Sequence, residues 1–357
     1  MLNGNEMAYV EECINTGWVS SKGKFVNKFE SMFSSLHNNL PSVSTSSGTT
    51  ALHLALESLG VGKNDEVIVT ALTFAATINA VFHCGATPIL VDVGEDSWNI
   101  SANTVEGFIT NKTRAIIIVH LYGQPCNITQ FRQLADKYNL LLIEDSAEAL
   151  GSTYNGDLVG THGDASIFSF FGNKIITTGE GGMVLFKDEE VANKAVILRD
   201  HGMSKNNRYW NEVIGYNYRM TNIQAAIGVA QLECLENFIE LKLGITERYI
   251  SAFSNIDIKI QKKHPESVNS SWLFGFIINS RMDKLVFMDQ LKKMRIETRE
   301  FFHPLHMQPA YAKFSKGNKF NNSERIANHG ICLPSSSGLS LSDQDYIIEQ
   351  VISIYNK

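Results

Sequence analysis

From residue 42 to residue 186 the chain alternates short, β-prone apolar runs with stretches of helical periodicity. This alternation limits the possible folds more than any other feature. Runs at 42–45, 66–70, 87–93, 115–121, 140–144, 165–171 and 183–186 read as strands. Apolar spacing near 74–84, 101–110 and 127–137 reads as helix between them. The interleaving predicts an α/β fold with a largely parallel sheet of about seven strands. Ligands of such sheets bind at the carboxyl ends of the strands, so residues just past each run are the first candidates for a site.

The 357 residues suffice for one large and one small domain. Two helices are expected before the first strand, over 4–17 and 25–38, with a polar loop from Trp18 to Lys24 between them. Past about residue 240 the character changes: a helix over 240–253, strand-like runs at 256–260 and 272–278, and a helix near 283–294. We expect a large domain over 1–240 and a small C-terminal α+β domain over 241–357. A net charge of −6 argues against nucleic acid as the main partner. No apolar run approaches the ~20 residues of a membrane span. The N-terminal segment is mixed and acidic, unlike a signal peptide. Cys13, Cys84, Cys126, Cys234 and Cys332 are scattered with no CxxC pair. Neither a disulfide framework nor a structural zinc site is suggested, and a reducing cytoplasm is expected.

Several residues past the runs carry chemistry. The run 165–171 breaks at Gly172-Asn173 and is followed by Lys174, then by Gly179-Glu180-Gly181-Gly182. A lysine on a glycine-bounded turn beside a buried strand is placed where its amine can be partly desolvated. Desolvation makes the neutral, nucleophilic amine accessible, which Schiff-base chemistry with an aldehyde cofactor requires. Taken alone, most turn lysines are solvated surface groups. Ser46-Ser47-Gly48-Thr49-Thr50 opens a helix, and glycine and hydroxyls at a helix start can hold a phosphate or can be a plain cap. Phe74, past the run 66–70, can stack on a flat ring or belong to the core. Asp145 ends an aliphatic run and can pair with a protonated ring nitrogen, while Glu144 and Glu148 can equally be solvated. The stretch 209–222, YWNEVIGYNYRMTN, reads as a long ordered loop of the functional or interfacial kind. His303 and His306 lack a third nearby metal ligand, so substrate or interface contact suits them better than a metal.

The segments SSGTTALHLAL, VIVTALTFAATINAVFHCGATPILVDV, IIIVHLYGQPCNI, LLIEDSAEALGSTYNG, SIFSFFGNKIITTGEGGMV and GYNYRMTNIQAAIGVAQLE resemble the DegT/DnrJ/EryC1/StrS sugar-nucleotide aminotransferases. The resemblance covers essentially the whole chain. Within that family, FSFFGNK with ITTGEGGM, GWVSSKGKFV, YWNEVIGYNYRMTN and ETR…FHPLHMQPAY look like the GDP-perosamine synthase subgroup.

The resemblance implies fold type I of the pyridoxal-phosphate-dependent aminotransferases and pyridoxal 5′-phosphate as cofactor. It implies that Lys174 is joined to the cofactor aldehyde and later shuttles a proton, whereas relatives with histidine there catalyse dehydration. Asp145 would keep the pyridine nitrogen protonated, Phe74 would stack on the ring, and Gly48, Thr49 and Ser169 would hold the phosphate. Glu148 occupies a position near the cofactor's 3-hydroxyl. Asn217 would reach the cofactor of a neighbouring subunit, which makes a homodimer the functional unit. Ser21 and Lys22, with His303 and His306, would contact the sugar nucleotide. The implied reaction moves the amino group of L-glutamate to the 4-keto carbon of a nucleotide-linked 6-deoxyhexose, with GDP-4-keto-6-deoxy-D-mannose as the best substrate. A UDP- or dTDP-linked keto sugar, or a non-catalytic cofactor-binding regulator, are the alternatives. The chain begins where relatives carry a short proline-containing extended segment, so a start shorter than theirs is expected to bear on the substrate end.

Overall fold

The structure is a computed structural model and describes residues 1–279, 281–315 and 317–356. A seven-stranded sheet forms its centre. Its strands are β1 (Ser42–Thr45), β2 (Glu66–Thr70), β3 (Thr87–Val91), β4 (Thr113–Val119), β5 (Leu141–Asp145), β6 (Ala165–Ser169) and β7 (Gly182–Phe186). The spatial order is β1-β7-β6-β5-β4-β2-β3. The pairs β2–β3, β2–β4, β4–β5 and β5–β6 are parallel. β7 runs antiparallel to both β1 and β6, so the other six strands share one direction. The central strands are buried on both faces, which is why they read as unbroken aliphatic runs such as Ala115-Ile116-Ile117-Ile118.

Each face of the sheet is covered. Ile116, Ile118, Leu142 and Phe168 pack with Phe29 and Phe33 of the helix Lys24–Leu36. Ile117, Ile143 and Ile167 face the other way, against Leu52 and Ala55 of the helix Gly48–Ser58 and Ile78 of the helix Ala76–His83. The strand expected over 165–171 stops at Ser169. There Phe170 is held by its N–H to the Gly181 carbonyl and by its own carbonyl to the Thr178 N–H, both 2.9 Å. This turn is what brings Lys174 back over the sheet.

The expected change of character near residue 240 falls inside the helix Leu235–Ala252. Beyond it, a four-stranded antiparallel sheet contains Phe274–Ile277 and Gly330–Leu333, flanked by the helices Lys284–Lys293 and Leu341–Tyr355. Its core includes Tyr249, Phe274, Phe276, Leu291 and Val351. The run expected as strand over 256–260 pairs only at Lys259–Ile260. A small three-stranded sheet joins Ser267–Val268 to Thr153–Tyr154 and Asp157–Leu158, tying the C-terminal part to the loop after β5. Among the described residues no helix is long and apolar enough to cross a membrane.

Candidate active site

At the carboxyl end of the sheet lies a cavity of about 300 Å³. Gly48 and Thr49 after β1, Phe74 after β2, Val119, Asp145 and Ser169 at the ends of β4, β5 and β6, and Lys174 beyond β6 all line it. Glu148 completes the set of charged groups expected there. Seven of the eight sequence-chosen cofactor residues are not scattered: Gly48, Thr49, Phe74, Asp145, Glu148, Ser169 and Lys174 meet here, and only Asn217 lies elsewhere.

One end is built to hold an anion. Ser47 caps the helix Gly48–Ser58 through a reciprocal pair, its Oγ accepting from the Thr50 N–H at 3.2 Å and its N–H donating to Thr50 Oγ1 at 3.0 Å. The N–H groups of Gly48 and Thr49 at the helix start are thus left for a ligand, at the positive end of the helix dipole. A Cβ on Gly48 would lie 2.8 Å from that of Ser169, so glycine is what lets this backbone approach β6.

The other end holds three ionisable groups. Asp145, 4% exposed, accepts from Thr77 Oγ1 at 2.8 Å and from the Ala147 N–H at 3.2 Å. Burial raises its pKa above the ordinary carboxylate value despite those two donors. Glu148 accepts from the Tyr122 N–H at 2.8 Å, and its Oε1 lies 4.0 Å from Lys174 Nζ. Burial, aided by the charge of Asp145 and opposed by Lys174 and the Tyr122 N–H, pushes Glu148 up to about 7. Burial lowers the Lys174 pKa, and the charges of Glu148 and Asp145 oppose that shift. A neutral amine is therefore nearer to hand than in a solvated lysine.

Two contacts at Lys174 have no counterpart in the sequence reading. Its Nζ sits 3.6 Å from the centre of the Trp272 ring, and the Trp272 indole N–H donates to the Asn173 carbonyl at 2.8 Å. Trp272 thus covers the amine and pins the turn that carries it. In sequence it looked like one more residue of a strand-like run, and only long-range packing brings it here. Thr77, the donor to Asp145, was hidden in the same way inside a helical pattern.

Glu144 departs from the expectation that it could be solvated. It is fully buried on the opposite face of β5, where five donors meet it: His120 Nε2, Ser166 Oγ, and the N–H groups of Gly160, His162 and Gly163. The Cys126 N–H donates to His120 Nδ1 at 3.1 Å, which leaves Nε2 to carry the proton toward Glu144. Burial alone would raise the Glu144 pKa, but His120 and the backbone donors outweigh it and bring it to about 2.

The remaining candidates lie outside the cavity of this chain. Asn217 is exposed, and its Oδ1 accepts from Arg219 at 3.0 Å. Ser21 and Lys22 line a separate basic hollow with Lys205, Arg208 and Arg219. His303 is exposed, and His306 stacks on Phe320 with its Nε2 3.0 Å from Glu324 Oε1.

The residues of the cavity suit a pyridine aldehyde phosphate. The free helix start and Ser169 match the phosphate, Phe74 and the apolar wall match a flat ring, the buried Asp145 matches a protonated ring nitrogen, and Lys174 matches the aldehyde. The space that a side chain at position 48 would fill lies at the phosphate end.

Comparison with known proteins points the same way. The DegT/DnrJ/EryC1/StrS aminotransferase family model matches residues 1–352. The GDP-perosamine synthase of Escherichia coli O157:H7 is 43% identical over 355 residues, covering 99% of this chain and 97% of that protein. That of Vibrio cholerae is 42% identical over 340 residues, covering 95% and 93%. Among solved structures, Spr1654 from Streptococcus pneumoniae in its PLP form superposes with a TM-score of 0.93 at 29% identity, covering 98% of this chain and 96% of that one. The fold is that of the fold type I aminotransferases, and the chain belongs to the DegT/DnrJ/EryC1/StrS aminotransferase family.

Proposed function

We propose that the chain transfers the amino group of L-glutamate to the 4-keto carbon of GDP-4-keto-6-deoxy-D-mannose, giving GDP-perosamine, with pyridoxal 5′-phosphate as cofactor. The observation that carries this reading is the convergence of Lys174 and Asp145 on one cavity whose far end is a free helix start. The GDP-linked sugar is supported by the GDP-perosamine synthases at 42–43% identity over nearly the whole chain. When bound, pyridoxal phosphate supplies an electron sink conjugated to the carbon that gains or loses the amino group.

The protein's own residues do the rest. Gly48, Thr49 and Ser169 hold the phosphate, and Phe74 covers one ring face. Asp145 keeps a proton on the ring nitrogen, because a buried carboxylate with only two donors is stabilised by a cationic neighbour. Lys174 takes up and releases a proton at Nζ, and desolvation lowers its pKa, which favours the neutral form. Trp272 and Phe302 shield that amine from water.

Asn217 serves the site of a second copy of the chain, and the functional unit is a homodimer. Tyr209, Trp210, Val213 and Ile214 support this reading: they are 76%, 63%, 50% and 94% exposed in the same loop, a patch that a second copy would cover. Ser21, Lys22, His303 and His306 contact the sugar nucleotide.

The test is a two-step titration of the purified protein. L-glutamate converts the bound cofactor's absorbance to that of the pyridoxamine form, and the GDP-linked keto sugar restores it. Borohydride fixes the cofactor to the peptide that contains Lys174, and Lys174→Ala abolishes both signals. Restoration by UDP- or dTDP-linked sugars alone would remove the GDP assignment.

A further inference from the structure

Outside the cavity, three side chains of metal-binding type meet beneath the loop that carries Asn217. His53 and Glu57 lie one turn apart on the helix Gly48–Ser58, and Cys84 caps the helix Ala76–His83. One ligand atom from each falls within 4.8 Å of the others, and His53 Nε2 is 3.6 Å from Glu57 Oε1. None of the three lines the cavity at the sheet end.

The histidine is the informative member. It is 3% exposed, and its Nδ1 is 2.9 Å from the Tyr218 hydroxyl. Its Nε2 is buried with no hydrogen-bond partner among the described residues. A buried polar nitrogen left without a partner carries a desolvation cost that the fold ordinarily avoids. In the tautomer with Nδ1–H donating to Tyr218, the Nε2 lone pair is free to face Glu57 and Cys84 as a ligand. A ring whose second nitrogen is fixed by an outer partner is the usual state of a metal-ligating histidine.

We propose that His53, Glu57 and Cys84 form a site for a divalent transition ion of the zinc class, independent of the aminotransferase reaction. The donor set of imidazole nitrogen, carboxylate oxygen and thiolate sulfur suits such an ion. One carboxylate and one thiolate balance its two positive charges, and the thiol releases its proton to solvent on binding. With bonds of about 2.0 Å to nitrogen and 2.3 Å to sulfur, a tetrahedral ion needs its donors roughly 3.5 Å apart, so side-chain movements of about 1 Å close the site.

The ion would act as a clamp. It joins the helix that presents Gly48 and Thr49 to the helix after β2. Through His53 it also holds Tyr218, which stacks on Tyr216 at 4.8 Å on either side of Asn217.

The experiment uses the full chain, freed of metal with a chelator and titrated with Co²⁺ and then Zn²⁺. We expect one equivalent per chain, visible d–d bands of a tetrahedral ion, and displacement of those bands by zinc. His53→Gln and Cys84→Ser weaken binding roughly tenfold or more, and Tyr218→Phe about tenfold through loss of the outer partner. Cadmium NMR of the unmutated protein gives a readout that needs no variant: a resonance in the sulfur-ligated range is expected. A resonance typical of oxygen ligands only, absence of the d–d bands, or bands unchanged by Cys84→Ser overturns the proposal. Because glutamate-driven conversion of the cofactor is followed separately, failure here leaves the aminotransferase reading untouched, and the reverse holds too.

Discussion

Glu144 and Asp145 are neighbours on one strand, yet they do opposite things. Glu144 points to the face packed by Phe29, Phe33 and Leu142, where five donors saturate it. Asp145 points to the cavity with two donors and spare acceptor capacity. Burial penalises both charges. On one face the protein offsets the penalty completely, and the Glu144 pKa settles at about 2. On the other it leaves the carboxylate raised and receptive to a cation. What separates a structural acid from a candidate catalytic one is therefore how much of its hydrogen-bonding capacity the fold itself consumes.

Substitutions break the comparison most directly. Glu144→Ala strands the five donors and is expected to cost about 3–5 kcal/mol of stability, read as a lower urea midpoint. Asp145→Asn keeps an acceptor for Thr77 and removes a buried charge, so its urea midpoint stays within about 1 kcal/mol of the parent. Its transamination rate falls about 10²–10³-fold, equivalent to roughly 3–4 kcal/mol. If Asp145→Asn instead unfolds the protein while Glu144→Ala only slows the reaction, the roles assigned to the two faces are reversed.

Acid titration sharpens the same contrast. His37, stacked on Phe33 at 4.5 Å, lies on the Glu144 face, and burial lowers its pKa to about 4. The unfolded chain binds this proton more readily, so the stabilising contribution is full above pH 6.5 and is lost as pH falls toward 4. Glu144 contributes fully above pH 4.5 and loses its contribution as pH falls toward 2. Each window is worth about 3 kcal/mol. Stability measured by urea at a series of pH values is expected to fall in both, and His37→Phe removes the upper one.

Much of this was legible in the chain, for a physical reason. The central strands are buried on both faces, so their residues form unbroken aliphatic runs, and the six strands that share one direction place their carboxyl ends on one side. Lys174, Asp145 and Gly48 could be found because each follows a strand-like run, whereas Ser169, inside the expected run 165–171, came only from the family resemblance. Glu144 could not be assigned, since its donors come from Gly160, His162 and Gly163, whose approach depends on a loop with no periodicity. Trp272 and Thr77 were missed because an aromatic in a strand-like run and a threonine in a helical one look like core. The three-stranded sheet at Thr153–Tyr154, Asp157–Leu158 and Ser267–Val268 was invisible because two-residue strands carry no pattern.

The smallest effect tests the cavity face alone. Glu148 lies between the two extremes: buried, with one backbone donor, and near the amine of Lys174. Its charge opposes the lowering of the Lys174 pKa. Glu148→Gln keeps an oxygen for the Tyr122 N–H and removes that charge, so the Lys174 pKa falls further. Capture of pyridoxal phosphate by the apoprotein, trapped with borohydride across a pH series, reads this as an alkaline rise displaced to lower pH. A rise displaced to higher pH, or not displaced, means that Glu148 does not sense the amine, and the lysine is then tuned by burial and Asp145 without it.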